Sequence, residues 1–239
     1  MSAYDVHLPG AFKVDTSSST VAVPGQLLPG AMARRDIPQR TAAGKRGMDI
    51  VISGIALVIL FPLLLMVALA IKLDSSGPVL FRQKRWGKDC KVIEVFKFRS
   101  MRLEDCDASG IAQTTKNDCR VTRIGKILRR TNVDELPQLF NVLKGDMSLV
   151  GPRCHAIGML AAGKLYEDLV PVYHNRHVVR PGLTGLAQMR GLRGPTDRPS
   201  KARARIASDL YYIENLSLRL DITIMIGTVI SELKGGKGF

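Results

Sequence analysis

Residues 50–71 carry no charged side chain, and no other feature constrains the fold as much. An α-helix of that length reaches roughly 30 Å, about the thickness of a bilayer's hydrocarbon core. Pro62 stands near its middle. A proline there removes a backbone hydrogen bond and crowds a preceding carbonyl, so the helix is expected to kink or break. The flanks add a second constraint. Arg34, Arg35, Arg40, Lys45 and Arg46 precede the run, and Lys72, Arg82, Lys84, Arg85, Lys88 and Lys91 follow it. A span is oriented by asymmetry in Lys and Arg, and here both ends prefer the cytoplasmic face. Three arrangements stay open: a span, a hairpin that enters the bilayer and returns at Pro62, and a helix buried in a soluble core. In a hairpin the backbone groups freed at the break still need partners, since lipid offers none.

Residues 1–44 are rich in Ser, Pro, Gly and Ala without periodicity. They read as a disordered tail. They do not read as a signal peptide, because the apolar run begins too far in. The net charge of +14 calls for an anionic partner: nucleic acid, anionic lipid or a phosphorylated substrate. Aromatic residues make up only 5%, too few for the stacking platforms of a single-strand binder. Cys90, Cys106, Cys119 and Cys154 form no CxxC pair, so neither a zinc site nor a disulfide framework is expected, and a reducing compartment fits. His174 and His177 form an HxxH pair with no acid in metal-binding register. A plain polar role is expected of them.

After a turn at 75–78, residues 79–83 and 91–99 read as short strands around a turn at Trp86, Gly87, Lys88 and Asp89. The second strand ends with Lys97 and Arg99 close together, as a phosphate contact or a solvated basic edge. Residues 102–119 are polar and read as loop.

Asp134 and Glu135 then stand side by side among Arg120, Arg123, Lys126, Arg129, Arg130, Lys144 and Arg153. Pro137 follows, and Leu136, Leu139, Phe140 and Leu143 take the spacing of one helix face. Proline is tolerated only in a helix's first turn, which puts the acidic pair at or just before a helix N-terminus. Negative charge is favoured there, as a carboxylate or as a bound phosphate. The plainer reading is that Asp134 caps the helix and Glu135 pairs with an arginine. Two Gly/Pro loops, 145–153 and 180–185, could aim Arg153, Arg180 and backbone N–H groups at an anion. Two C-terminal helices close the chain. One has Ile206, Leu210 and Ile213 on one face. The other carries Leu218, Ile222, Met225, Ile226, Val229 and Ile230. Core packing and an interfacial position both suit these stripes.

These segments together resemble a known family. KRGMDI at Lys45, GPVLFRQKRWG at Gly77, KFRSM at Lys97, the run from Arg120 through DELPQ to GDMSLVGPR, RPGLTGLAQ at Arg180 and DLYYIENLSLRLDI at Asp209 are similar to the bacterial sugar transferases. These are monotopic polyprenyl-phosphate hexose-1-phosphate transferases, or phosphoglycosyl transferases. GPRCHA and GLRGPTD look most like the members that load a glucose-type sugar phosphate. Three positions depart from the family pattern: Cys154 and Cys119 where proline is usual, and Leu216 where tryptophan is common.

The resemblance implies an α/β membrane-associated fold. A re-entrant membrane helix broken at Pro62 (residues 45–73) would follow the tail (1–44). A compact, mainly helical cytosolic catalytic domain (74–239) would follow that, with a small β-hairpin and interfacial amphipathic helices. It implies transfer of a hexose-1-phosphate from a UDP-sugar to undecaprenyl phosphate with release of UMP, the first membrane step of exopolysaccharide or related glycan synthesis. Asp134 is the implied nucleophile and carries a covalent phosphosugar. Asp134 and Glu135 are the implied ligands of Mg²⁺. Lys97, Arg99, Arg153 and Arg180 are the implied phosphate contacts. The location is the bacterial inner membrane, with the catalytic domain on the cytoplasmic face. Anionic membrane lipids are further partners, a homodimer is allowed, and no nucleic acid is expected. Physical chemistry adds that a helix N-terminus with surrounding arginines should lower the pKa of Asp134 and keep it ionised. The alternative class is a non-catalytic basic protein that binds anionic membranes or nucleic acid. It accounts for the charge but not for the ordered acids and arginine loops.

Overall fold

A computed structural model describes residues 39–102, 118 and 120–233. Its first element, α1 (Gln39–Asp74), is one helix of 36 residues with Pro62 inside it. By length and composition α1 could cross a membrane. The chain stays helical through Pro62, and the helix starts earlier than the boundary at residue 45. Packing explains the continuity. Leu57 and Leu60 before the proline, and Leu63, Leu64 and Val67 after it, rest against the same underlying core. That support holds both halves in one run despite the lost backbone bond.

One stripe of α1 faces the domain: Asp49, Ser53, Leu64, Val67 and Ile71 are buried, and Ala56, Leu57 and Leu60 pack between them. The outer face is apolar and open, with Val58 77% and Ile59 70% exposed, alongside Ile55, Phe61, Leu65, Met66 and Leu69. Polar contacts fasten the helix at both ends. Lys45 Nζ donates to the Val150 carbonyl at 2.8 Å and to Asp221 Oδ2 at 2.7 Å. Arg46 donates to the carbonyls of Val142 and Leu143 at 2.6 and 2.7 Å. Asp49 accepts from Ser148 Oγ and the Leu149 amide. At the far end Asp74 accepts from the Ile124 amide at 3.3 Å. Both ends therefore dock on one and the same domain.

The expected hairpin forms. β1 (Leu80–Trp86) and β2 (Val92–Phe98) pair antiparallel from Leu80 opposite Phe98 to Trp86 opposite Val92. The first strand runs further than the sequence suggested, because the chain turns in a tight 3-10 turn at Lys88–Cys90, where Asp89 and Cys90 take positive φ. Of the loop expected at 102–119, residues 103–117 and 119 lie outside the described residues, as do residues 1–38 of the expected tail. Next comes α2 (Arg123–Arg130), capped by Thr122, whose hydroxyl accepts from the Gly125 amide. Gly125 is required: a Cβ there would stand 2.0 Å from the Ser100 carbonyl oxygen. The outer face of α2 carries Arg123, Lys126 and Arg130, with Ile127 among them 60% exposed.

A 3-10 turn at Val133–Glu135 leads through Pro137 into α3 (Gln138–Lys144). The acidic pair thus lies just before a helix, as its spacing predicts. The buried face differs from the apolar spacing: Gln138, Leu139, Asn141 and Val142 are inside, and Phe140 is largely exposed. Asn141 draws that face inward. Its Nδ2 donates to the Glu94 carbonyl at 2.6 Å and its Oδ1 accepts from the Phe96 amide at 2.9 Å, so it clamps the edge of β2.

β3 (Ser148–Val150) is followed by the short pair β4 (Leu160–Ala161) and β5 (Lys164–Leu165), then α4 (Tyr166–Leu169) and a 3-10 segment at Tyr173–Val178. β6 (Gly182–Thr184) runs parallel to β3, with Ser148 opposite Gly182 and Val150 opposite Thr184. The two Gly/Pro loops are therefore stitched to each other. The Gly151 amide donates to the Thr184 carbonyl at 2.9 Å, and the Gly182 amide to that of Pro152 at 3.0 Å. A Cβ on Gly182 would meet the Gly151 nitrogen at 2.1 Å, so only glycine permits the crossing.

α5 (Leu186–Met189), α6 (Pro199–Glu214) and α7 (Leu218–Leu233) complete the fold. The two C-terminal stripes take different roles. Ile206, Leu210 and Ile213 of α6 are buried in the main core, but Leu218, Ile222, Ile226, Val229 and Ile230 of α7 face outward. The apolar outer faces of α1 and α7 fit a membrane-associated protein.

Candidate active site

A cavity of about 780 Å³ lies between α1, the hairpin, the acidic turn, the 151–156 loop, residues 192–195 and α7. Lys97, Arg99, Arg129, Arg153, Asp134 and Glu135 line its polar part. Ile52, Phe81, Leu149, Leu183, Met225 and Val229 line its apolar part.

The two acids differ in their surroundings. Glu135 is held by cations: Lys97 Nζ donates to Oε1 at 2.8 Å, and Arg153 grips both oxygens in a fork, with Nη1 to Oε2 at 3.0 Å. Burial raises its pKa, and Arg153 and Lys97 more than offset that, so the carboxylate sits well below the usual range. Asp134 is only 8% exposed. Among the described residues its carboxylate has neither a hydrogen bond nor an ion pair, so it does not cap α3. Burial pushes its pKa up; Lys97, Arg129 and Arg153 oppose the rise without cancelling it. This corrects the expectation of a lowered value. The short turn carrying Asp134 gives it no N–H partner, and desolvation wins. The pair is thus split into one fixed anion and one buried, unpaired carboxyl facing the cavity.

The four cations singled out in the sequence separate as well. Lys97 and Arg153 converge on Glu135. The Arg153 fork forms even with Cys154 beside it, and Cys154 itself is buried. Its carbonyl accepts from Arg85 at 2.6 Å. Arg99 lines the cavity, but its two terminal nitrogens are taken by the Ser75 and Ser76 carbonyls and the Ser75 hydroxyl, at 2.5–2.9 Å. It ties the end of α1 to the hairpin. Arg180 is exposed and donates to the Gly145 carbonyl at 2.7 Å; it is not among the cavity-lining residues. The structure therefore does not bring Arg99 or Arg180 to the acidic pair with a free guanidinium.

Other residues join the wall that spacing did not mark. Arg193 pairs with Glu232 of α7, and Asn132 Nδ2 donates to the same carboxylate at 3.0 Å. His155 is buried against Tyr166 and Tyr173. Burial, with Arg176, Arg205 and Arg85 nearby, keeps its imidazole neutral, and its Nε2 has no partner among the described residues. The GPRCHA and GLRGPTD segments were the available signals for His155 and Arg193.

Asp134 and Glu135 fit Mg²⁺ by donor chemistry. The hard cation takes one or two carboxylates alongside substrate phosphates; Asp134 is free, and Oε2 of Glu135 has a single cationic contact.

Cations around a buried carboxyl suit transfer of a phosphorylated group, and the apolar helices alongside put that chemistry at a membrane. The class is a membrane-associated group transferase. The chain belongs to the bacterial sugar transferase family, whose sequence pattern matches residues 40–235. An exopolysaccharide production protein, PSS, of Rhizobium leguminosarum bv. phaseoli is 72% identical over 82% of this chain and 98% of its own length. A UDP-glucose:undecaprenyl-phosphate glucose-1-phosphate transferase of Klebsiella pneumoniae is 50% identical over 77% of this chain, but that match covers only 39% of its own length. A protein of the same name from Caulobacter vibrioides is 49% identical over 79% of this chain and 69% of its own.

Proposed function

We propose that the protein transfers a glucose-type hexose-1-phosphate from a UDP-sugar to undecaprenyl phosphate and releases UMP, opening exopolysaccharide synthesis at the inner membrane. The observation that carries this is the unpaired Asp134 carboxylate in the cavity, beside a Glu135 fixed by Lys97 and Arg153. Asp134 attacks the phosphorus that bears the sugar. A bond forms from its oxygen to phosphorus, and the bond to UMP breaks. An oxygen of undecaprenyl phosphate then attacks the same phosphorus and frees the carboxylate. Lys97 and Arg153, held on Glu135 beside Asp134, would screen the charge on that phosphoryl group. The covalent route lets two bulky anions use one basic site in turn. Asp134 and Glu135 would hold Mg²⁺, which supplies further charge neutralisation on the phosphates.

The attachment to the membrane is proposed as monotopic, re-entrant and cytoplasmic. Docking of both ends of α1 on one domain supports it, since a span would put Lys45 and Asp74 on opposite sides. The basic outer face of α2 supports contact with anionic lipids.

The test mixes purified protein with labelled UDP-glucose and undecaprenyl phosphate, and then with nucleotide sugar alone. UMP release, parallel double-reciprocal lines and a sugar-phosphate adduct on the Asp134 peptide without lipid acceptor are expected. Intersecting lines with no adduct after rapid quenching reject the covalent route. No UMP release from any UDP-hexose rejects the function.

A further inference from the structure

The tip of the hairpin meets the 3-10 segment at Tyr173–Val178, far along the sequence. Cys90 Sγ stands 3.4 Å from His177 Nδ1 and 3.8 Å from His174 Nδ1. The two Nδ1 atoms are 3.4 Å apart. Zn²⁺ bonds nitrogen at about 2.0–2.1 Å and thiolate sulfur at about 2.3 Å. Tetrahedral angles then separate two such nitrogens by roughly 3.4 Å and a nitrogen from a sulfur by roughly 3.6 Å. The three observed edges match one face of that tetrahedron. The three contacts also lie within hydrogen-bonding distance, so it is the fit of all three edges together that points to an ion.

Two further observations point to an ion. His174 turns Nδ1 to the cluster and Nε2 to Glu167, 3.4 Å from its Oε2. A carboxylate behind a ligating imidazole fixes its orientation and raises its basicity, a common arrangement around zinc. His177 is buried and turns Nδ1 to both Cys90 and His174. Trp86 and Tyr173 pack around both rings and hold them in place.

We infer that Cys90, His174 and His177 form a zinc site, three protein donors with water in the fourth position. Soft sulfur with two imidazoles selects Zn²⁺ over Mg²⁺. On binding, the Cys90 thiol gives its proton to solvent and its sulfur bonds the ion. The ion staples Lys88–Cys90 of the hairpin to the segment that carries Arg176. Arg176 in turn donates to the Arg153 carbonyl, so the staple braces the loop that presents Arg153. This site is separate from the acidic pair, and its readout is metal binding, whatever the transferase assay shows.

The test uses untagged full-length protein stripped with chelator and dialysed. Loading with Zn²⁺ should give one equivalent per chain by elemental analysis and raise the melting temperature. Loading with Co²⁺ should give a thiolate charge-transfer band and the visible bands of a tetrahedral site, both displaced by Zn²⁺. Cys90→Ser should lose the charge-transfer band and the zinc-dependent shift in melting. Glu167→Gln should bind roughly 10–100-fold more weakly. His174→Gln, at the surface, serves if the serine variant is unstable. Substoichiometric zinc after loading, or a cobalt band that survives both Cys90→Ser and His174→Gln, overturns the site.

Discussion

Arg176→Met should be among the costliest single changes in the chain. The Arg176 and Asp209 side chains are 1% and 2% exposed, and Nη2 lies 2.7 Å from Oδ2. Nε and Nη1 of Arg176 have no partner among the described residues, so the pair rests on Nη2 alone. Removing the cation leaves a buried, uncompensated carboxylate, a loss of about 3–5 kcal/mol. The Arg153 carbonyl also loses its donor, at about 1–3 kcal/mol. One effect limits the total. Burial raises the pKa of Asp209 even with Arg176 opposing it, and without Arg176 that pKa climbs further. Between the unfolded and folded values the folded state holds a proton that the unfolded state has released, so stability falls as pH rises through that window. The penalty should therefore be smaller at pH 5 than at pH 8. At roughly 4 kcal/mol and about 2–4 °C per kcal/mol, the melting temperature at pH 8 drops by about 8–16 °C. Melting curves of detergent-purified protein at both pH values measure it, with Asp209→Asn and the double variant alongside. The double variant should recover much of the loss, since removing both charges leaves nothing unpaired. A drop below about 2 °C, equal at both pH values, with strictly additive variants would refute the reasoning.

Asp134→Asn should abolish UMP release and raise the melting temperature at neutral pH. The wild-type carboxyl, with its raised pKa, loses stability as pH climbs from the ordinary carboxylate range, and the amide does not; a melting temperature equal to or below wild type would contradict this. Lys45→Met strands Asp221, whose side chain is fully buried, and should cost about 3–5 kcal/mol, read as faster proteolysis of α1. With the native cysteines replaced, labels in residues 1–44 and at Lys126 should react only from the cytoplasmic side; periplasmic labelling of the tail would establish a span.

The fold was legible wherever a local pattern carried the information. The hairpin, the helix after Pro137 and both C-terminal helices follow from spacing and turn residues. The continuity of α1 did not, because proline's local penalty is met by side chains from distant segments, Phe98 and Leu128 among them. The inward face of α3 was hidden for a related reason. Asn141 looks like a surface residue in sequence, and only the edge of β2 gives its amide two partners. The HxxH pair looked bland because its third donor is Cys90, which no spacing rule connects to it.

The site shows where charge patterns stop being informative. Lys97, Arg99, Arg153 and Arg180 are equivalent as cations in a sequence, the first two at a strand end and the last two in Gly/Pro loops. What separates them is which acceptor each guanidinium or ammonium meets. The carbonyls of Ser75 and Ser76, just past the end of α1, take Arg99. The Gly145 carbonyl at the end of α3 takes Arg180 in the same way. Lys97 and Arg153 meet a carboxylate instead. That contact keeps their charge at the cavity, where an arriving phosphate can share it, because a carboxylate held by three contacts still leaves part of each cation facing the cavity. Backbone carbonyls at and just past helix ends thus sort the cations into braces and candidate substrate ligands, a distinction that exists only once the helices have formed.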